Sequence, residues 1–146
     1  MPVPKHVFDP PFNIVRASHV ALGVTDLGRA RVFYEGALGL IVEDETKDAL
    51  YLRGVEERQH HSLVLTKGKV EAHHLGFKVG SEEDLDKAAH FFKGKGLRHA
   101  FVERPYQGRT LQAADPFGVP LELYFTMEKR ELLLQKYDRY RGVQPM

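Results

Sequence analysis

The stretch HVALGVTDLGRARVFYEG, from His19 to Gly36, decides the fold because the chain repeats it. Asp26-Leu27-x-x-Ala30-x-x-Phe33-Tyr34-x-Gly36 recurs as Asp84-Leu85-x-x-Ala88-x-x-Phe91-Phe92-x-Gly94, offset by 58 residues throughout and without a gap. Each copy follows a strand-like run that contains a histidine, His19 to Val24 in one and His74 to Val79 in the other. Each copy also closes on a glycine, Gly39 or Gly96, able to cap a helix in the left-handed region. A match of this length between two halves of one chain points to an internal duplication.

The elements follow from the repeat. In each half a strand of about seven residues enters a helix. Thr25 and Asp26 start the first helix; Ser81, with Asp84 three residues on, makes a capping-box pattern for the second. Leu27, Ala30, Phe33 and Ala37 form one helical stripe, and Leu85, Ala88, Ala89 and Phe92 form the other. Three short strands complete each half, near 41–45, 49–54 and 60–66 and again near 98–104, 109–114 and 119–126, with Asp115-Pro-Phe-Gly118 as a turn into the last. The expected architecture is α+β: tandem βαβββ modules forming curved mixed sheets around a central cavity. Residues 1–13 read as a Pro-rich arm, 14–126 as the domain with modules of about 14–68 and 69–126, and 127–146 as a C-terminal helix that could lead into an interdomain linker.

Strand alternation selects the inward side chains. Val20, Leu22 and Val24 share the face that suits a helix, leaving His19 opposite. Leu75, Phe77 and Val79 do the same for His74, and Leu121, Leu123 and Phe125 for Glu122, which shares its face with Tyr124. His73 points the other way. Three strands therefore each turn one metal-competent group away from the helices. Two neutral imidazoles and a carboxylate hold a divalent metal on one triangular face and leave coordination positions open, the arrangement used for Fe(II) that binds both a substrate and O₂.

Composition narrows the class. The chain has 146 residues, 42% apolar and 28% charged, as one globular domain should. A net charge of +1 without a basic run argues against a nucleic-acid partner. No apolar run is long enough for a membrane span, and the N-terminal arm is not a signal peptide. Cysteine is absent, which removes disulfides and thiolate chemistry and fits a cytoplasmic setting.

At these residues the sequence resembles a known superfamily. HVALGVTDLGRARVFYEGALGL, HHLGFKV and DPFGVPLELY are similar to the vicinal oxygen chelate proteins, which share the glyoxalase/bleomycin resistance/dioxygenase fold. YLRGVEERQHHSLVLTKG and EKRELLLQKYDRYRG narrow the resemblance to the type I extradiol dioxygenases, and within them to the N-terminal domain of the homoprotocatechuate and catechol 2,3-dioxygenases. The resemblance implies His19, His74 and Glu122 as metal ligands for Fe(II), with Mn(II) as the alternative metal. It implies His61 as an acid–base group that moves a catechol proton. The implied substrates are a small aromatic diol and O₂, and the implied reaction opens the ring beside the diol. Arg104, Arg109, Gln112 and Tyr124 are further candidates for substrate contact, the two arginines for a carboxylated catechol. Gln112 stands where the family usually carries a tyrosine, and the extradiol enzymes have two such domains. Open sheet edges predict a homo-oligomer. Two alternatives stay open: a non-catalytic structural or small-ligand-binding module, and a glyoxalase- or fosfomycin-resistance-type metalloenzyme. The first of that last pair needs a fourth carboxylate ligand where Leu63, Val64 and Leu65 stand, and the second an anion pocket.

Overall fold

The protein is described by a computed structural model covering Val3 and residues 9–133. Its first half runs β1 (Ile14–Val24), α1 (Leu27–Arg31), a π-helical segment (Val32–Ala37), β2 (Ile41–Glu45), β3 (Ala49–Arg53) and β4 (Leu63–Lys67). Its second half runs β5 (Ala72–Val79), α2 (Glu82–Gly94), β6 (His99–Arg104), β7 (Gly108–Ala114) and β8 (Pro120–Tyr124). Each half has the same connectivity. β2, β3 and β4 form an antiparallel meander and β4 lies parallel to β1, with Val20 opposite Leu63. β6, β7 and β8 form the second meander and β8 lies parallel to β5, with Gly76 opposite Glu122. A parallel neighbour requires a crossover, and in each half the helix and the meander supply it. The strand orders, β2-β3-β4-β1 and β6-β7-β8-β5, are the same. The α+β class with mixed sheet, expected from the repeat, is what these elements make.

Two compact units result, and the cut between them falls inside strands. One comprises Leu75–Thr126 with the N-terminal residues through Ser18; the other comprises His19–His74 with the chain from Met127. In the first unit Val79, Leu85, Ala88, Phe92, Leu111, Ala113 and Leu123 form the core, with Phe77, Leu121 and Phe125 packed against it. In the second, Ala30, Leu50, Leu52, Leu63 and Leu65 are the core, covered by Val20, Leu22, Val24, Leu27 and Tyr34. The caps are built as the sequence implies. Asp26 accepts from the Arg29 amide, Ser81 accepts from the Asp84 amide, and Gly39 and Gly96 take φ of 73° and 66°.

Three expectations are corrected. The stripe of the first helix does not run through Phe33 and Ala37. After Arg31 the helix widens to π, and the extra residue per turn rotates the following side chains by about 100°. Tyr34 and Leu40 then face the core, while Phe33 is 52% exposed and Ala37 is exposed. The fourth strand begins at Leu63, so His61 precedes it in a loop. Finally, 127–133 is not helical. These residues run along the 55–60 segment through a bridge between Gln59 and Lys129 and the bonds His60 N to Glu128 O, Arg130 N to Arg58 O and Leu133 N to Val55 O. Arg130 adds an ion pair to Glu43, 3.0 Å, so tertiary hydrogen bonds outcompete the helix there. The rest of the expected C-terminal helix lies outside the described residues. Among the described residues no helix is long and apolar enough to cross a membrane.

Candidate metal centre

β1 positions the first histidine by simple alternation. Val20, Leu22 and Val24 are taken by the core, so His19 and Ala21 project from the other face, and both are buried. In β5 only Phe77 and Val79 reach the core; Leu75, expected beside them, is 41% exposed, while His74 is half-buried, and the His19 and His74 rings meet edge to face, 5.4 Å between centroids at 88°. His61 also lies against His19, 5.2 Å away at 74°, and packs on Tyr51 at 5.2 Å. His60 completes the cluster: its Nδ1 is 3.0 Å from the Nδ1 of His61. His60 and His61 are both buried. Burial, reinforced by the positive charge of Arg130, pushes the His60 imidazole below the ordinary histidine range and favours its neutral form.

Glu122 sits on β8, opposite Gly76 of β5 and Gln112 of β7, with its side chain 2% exposed. A carboxylate this buried needs donors. Arg104, the last residue of β6, places Nε 2.7 Å and Nη2 2.6 Å from Oε1. The Gln112 amide reaches Oε1 at 3.5 Å and the Gln107 amide reaches Oε2 at 3.3 Å. Sequence reasoning missed Gln107. It sits in a turn between Tyr106, φ 68°, and Gly108, φ 62°, where it also donates to Thr110 Oγ1 at 3.0 Å. A non-glycine residue in the left-handed region is not announced by its neighbours, so the sequence carried no signal for this side chain.

The remaining candidates separate. Arg104 and Gln112 stand at Glu122. Tyr124 is fully buried and its hydroxyl pairs with that of Ser18. Arg109 is a β7 residue; it pairs with Glu82 at 3.2 Å and Asp86 at 2.5 Å on α2 and lies 4.0 Å over the Phe101 ring.

The ligand-competent atoms of His19, His74 and Glu122 all lie within 4.8 Å of one another. Two donors bound at right angles about 2.1 Å from one ion are about 3 Å apart, the same order as this grouping. Two imidazoles with one carboxylate suit a divalent first-row metal and leave positions for exogenous ligands. The residues present fit the group.

Comparison with known proteins shows the family. Residues 16–123 match the family model described as Glyoxalase/Bleomycin resistance protein/Dioxygenase superfamily, and the chain belongs to that superfamily. Among curated relatives, the manganese-dependent 2,3-dihydroxybiphenyl 1,2-dioxygenase of Geobacillus genomosp. 3 is 29% identical over 134 residues, covering 89% of this chain and 42% of its own. The metapyrocatechase of Geobacillus stearothermophilus is 25% identical over 126 residues, covering 85% and 38%. Among solved structures, homoprotocatechuate 2,3-dioxygenase from Brevibacterium fuscum, in an anaerobic complex with 3,4-dihydroxyphenylacetate, superposes with a TM-score of 0.84 at 38% identity, covering 95% of this chain and 44% of its own. The Arthrobacter globiformis homoprotocatechuate 2,3-dioxygenase gives 0.84 at 34% identity, covering 92% and 43%. The chain thus spans about two-fifths of the length of these relatives.

Proposed function

We propose that this chain carries an extradiol ring-cleaving dioxygenase centre, with His19, His74 and Glu122 holding Fe(II) or Mn(II) and His61 moving the substrate proton. The observation that carries the reading is the approach of three donor groups from three strands to within 4.8 Å. The names of the relatives support the substrate class, a small aromatic diol with O₂, and one of them supports manganese as an alternative to iron. A bound metal supplies Lewis acidity that makes a diol hydroxyl easier to ionise and orients both reactants. The chain's own residues supply the rest. His61 would take a proton from a diol hydroxyl and return it later, a role supported by its burial against His19. Its neighbour His60 holds it through the Nδ1 contact, and the chain continues directly into β4, whose Leu63 and Leu65 are anchored in the core. β4 offers leucines and a valine where a glyoxalase-type centre needs a fourth carboxylate, which weighs against that alternative. We assign the chain to a homo-oligomer in the cytoplasm as part of the same proposal.

One observation favours a second reading. The Arg104 fork on Glu122 already neutralises the carboxylate, as it would in a non-catalytic module that keeps its ion pair permanently. Elemental analysis and a ring-cleavage assay separate the two. The dioxygenase reading expects about one Fe or Mn per chain after anaerobic reconstitution and, under air, a yellow semialdehyde product from catechol or homoprotocatechuate. A folded chain that takes up no divalent metal sinks it, and a metal-loaded chain that cleaves no catechol leaves the binding module.

A further inference from the structure

We propose that Arg104 is a built-in competitor for the metal: its guanidinium holds Glu122 in the metal-free chain and must leave before Glu122 can serve an ion. The inference rests on the metal reading above. Both fork nitrogens of Arg104 close on one oxygen of Glu122, at 2.7 and 2.6 Å, and that oxygen belongs to the carboxylate grouped with His19 and His74. A guanidinium and a divalent cation on one buried carboxylate repel each other strongly, because little water screens them. They compete for the site. The two partners differ in freedom. The Glu122 side chain is 2% exposed and fixed in the middle of β8, whereas Arg104 is 37% exposed and stands at the end of β6, where the chain turns through Pro105 and Tyr106. The arginine is the partner that can withdraw to water. Gln107 and Gln112 would stay behind as uncharged donors to the carboxylate, at 3.3 and 3.5 Å, keeping it oriented without opposing an ion.

An arginine that merely oriented Glu122 for the metal would act in the opposite direction, since loss of such a support weakens metal binding. The sign of the effect is therefore the test. The chelator-stripped chain is titrated with Mn(II), free Mn(II) being followed by electron paramagnetic resonance, for the unaltered chain, Arg104→Met, Arg104→Lys and His74→Ala. A closed latch lowers the apparent affinity by the fraction of molecules that are open, so Arg104→Met should bind Mn(II) about 10-fold or more tighter than the unaltered chain. Arg104→Lys, which keeps the charge but not the fork, should fall between them. If Arg104→Met does not fold without metal, the lysine variant carries the comparison, together with its larger rise in melting temperature on adding Mn(II). Equal or weaker binding by the arginine variants overturns the latch while leaving the metal reading intact. Absence of binding by the unaltered chain and by every arginine variant overturns both, and binding that survives His74→Ala places the ion elsewhere and does the same.

Discussion

His60 and His61 face each other through their Nδ1 atoms at 3.0 Å, neighbours in sequence and both buried. Two acceptor nitrogens cannot sit at that distance, so one ring carries its proton on Nδ1 and donates it to the other. The pair tolerates one proton in the contact and resists a second. Burial pushes His60 down, and Arg130 adds to the effect, which makes this contact a source of acid sensitivity. Because the folded chain binds the His60 proton less readily than the unfolded chain, its stabilising contribution is complete above the ordinary histidine pKa of about 6.5 and is lost as pH falls from there through the lowered folded value. Urea melts of the metal-free chain between pH 7.5 and 5 should show stability dropping on acidification, with this group adding up to about 1.4 kcal/mol per pH unit inside the window. His60→Asn should flatten that slope; an unchanged slope counts against the assignment.

The proton role proposed for His61 has a direct test. In the metal-loaded chain His61→Phe should slow ring cleavage by about 10²–10⁴-fold, the range for a positioned acid–base, while metal content by elemental analysis stays the same. Unchanged turnover would move the role to another group.

Metal binding should register as stability. Mn(II) at about 100 times its dissociation constant should raise the unfolding free energy by about 3 kcal/mol. His19→Ala and His74→Ala should each abolish that rise in thermal melts.

Glu43 binds two arginines, Arg53 at 2.5 Å and Arg130 at 3.0 Å, and the Arg53 side chain is 3% exposed. Glu43→Ala removes the carboxylate that faces the buried Arg53 and leaves it the neutral Glu57 carbonyl, 2.6 Å away. A stranded buried charge costs about 3 kcal/mol or more. Chemical denaturation should show that loss, and faster hydrogen exchange at the amides of His60 and Arg130 should accompany it, because Arg130 helps dock 127–133 onto 55–60.

The π-helical segment makes a sharper comparison. Tyr34→Ala should destabilise by about 3 kcal/mol, as a large core truncation does. Phe33→Ala should cost about 1 kcal/mol, the worth of its edge-to-face contact with Tyr34 at 5.1 Å. Equal costs would place the two rings on the same footing and contradict the π register.

What the sequence determined by itself is local and periodic. The repeat from Asp26 and Asp84 announces two copies of one unit, and period-two alternation in β1, β5 and β8 puts His19, His74 and Glu122 on the faces opposite their apolar partners, because successive side chains in a strand must point apart. The caps at Asp26, Ser81, Gly39 and Gly96 were legible for the same reason: each answers to atoms a few residues away. Only the tertiary structure decided the rest. That Arg104 rather than Arg109 meets Glu122 depends on the strand register: Arg104 lies opposite Gly108, on the face shared by Gln112 and Glu122, whereas Arg109 lies on the Leu111 face towards α2, and that register is set by pairing over long sequence separations. Gln107 reaches the same carboxylate through a left-handed Tyr106 that no propensity predicts. Residues 127–133 have a helix-forming composition, yet their carbonyls and amides are claimed by 55–60, and hydrogen bonds to a distant segment outweigh the few tenths of a kcal/mol per residue that propensity offers. The donor groups were written in the sequence; the charges and amides that govern them were assembled only by the fold.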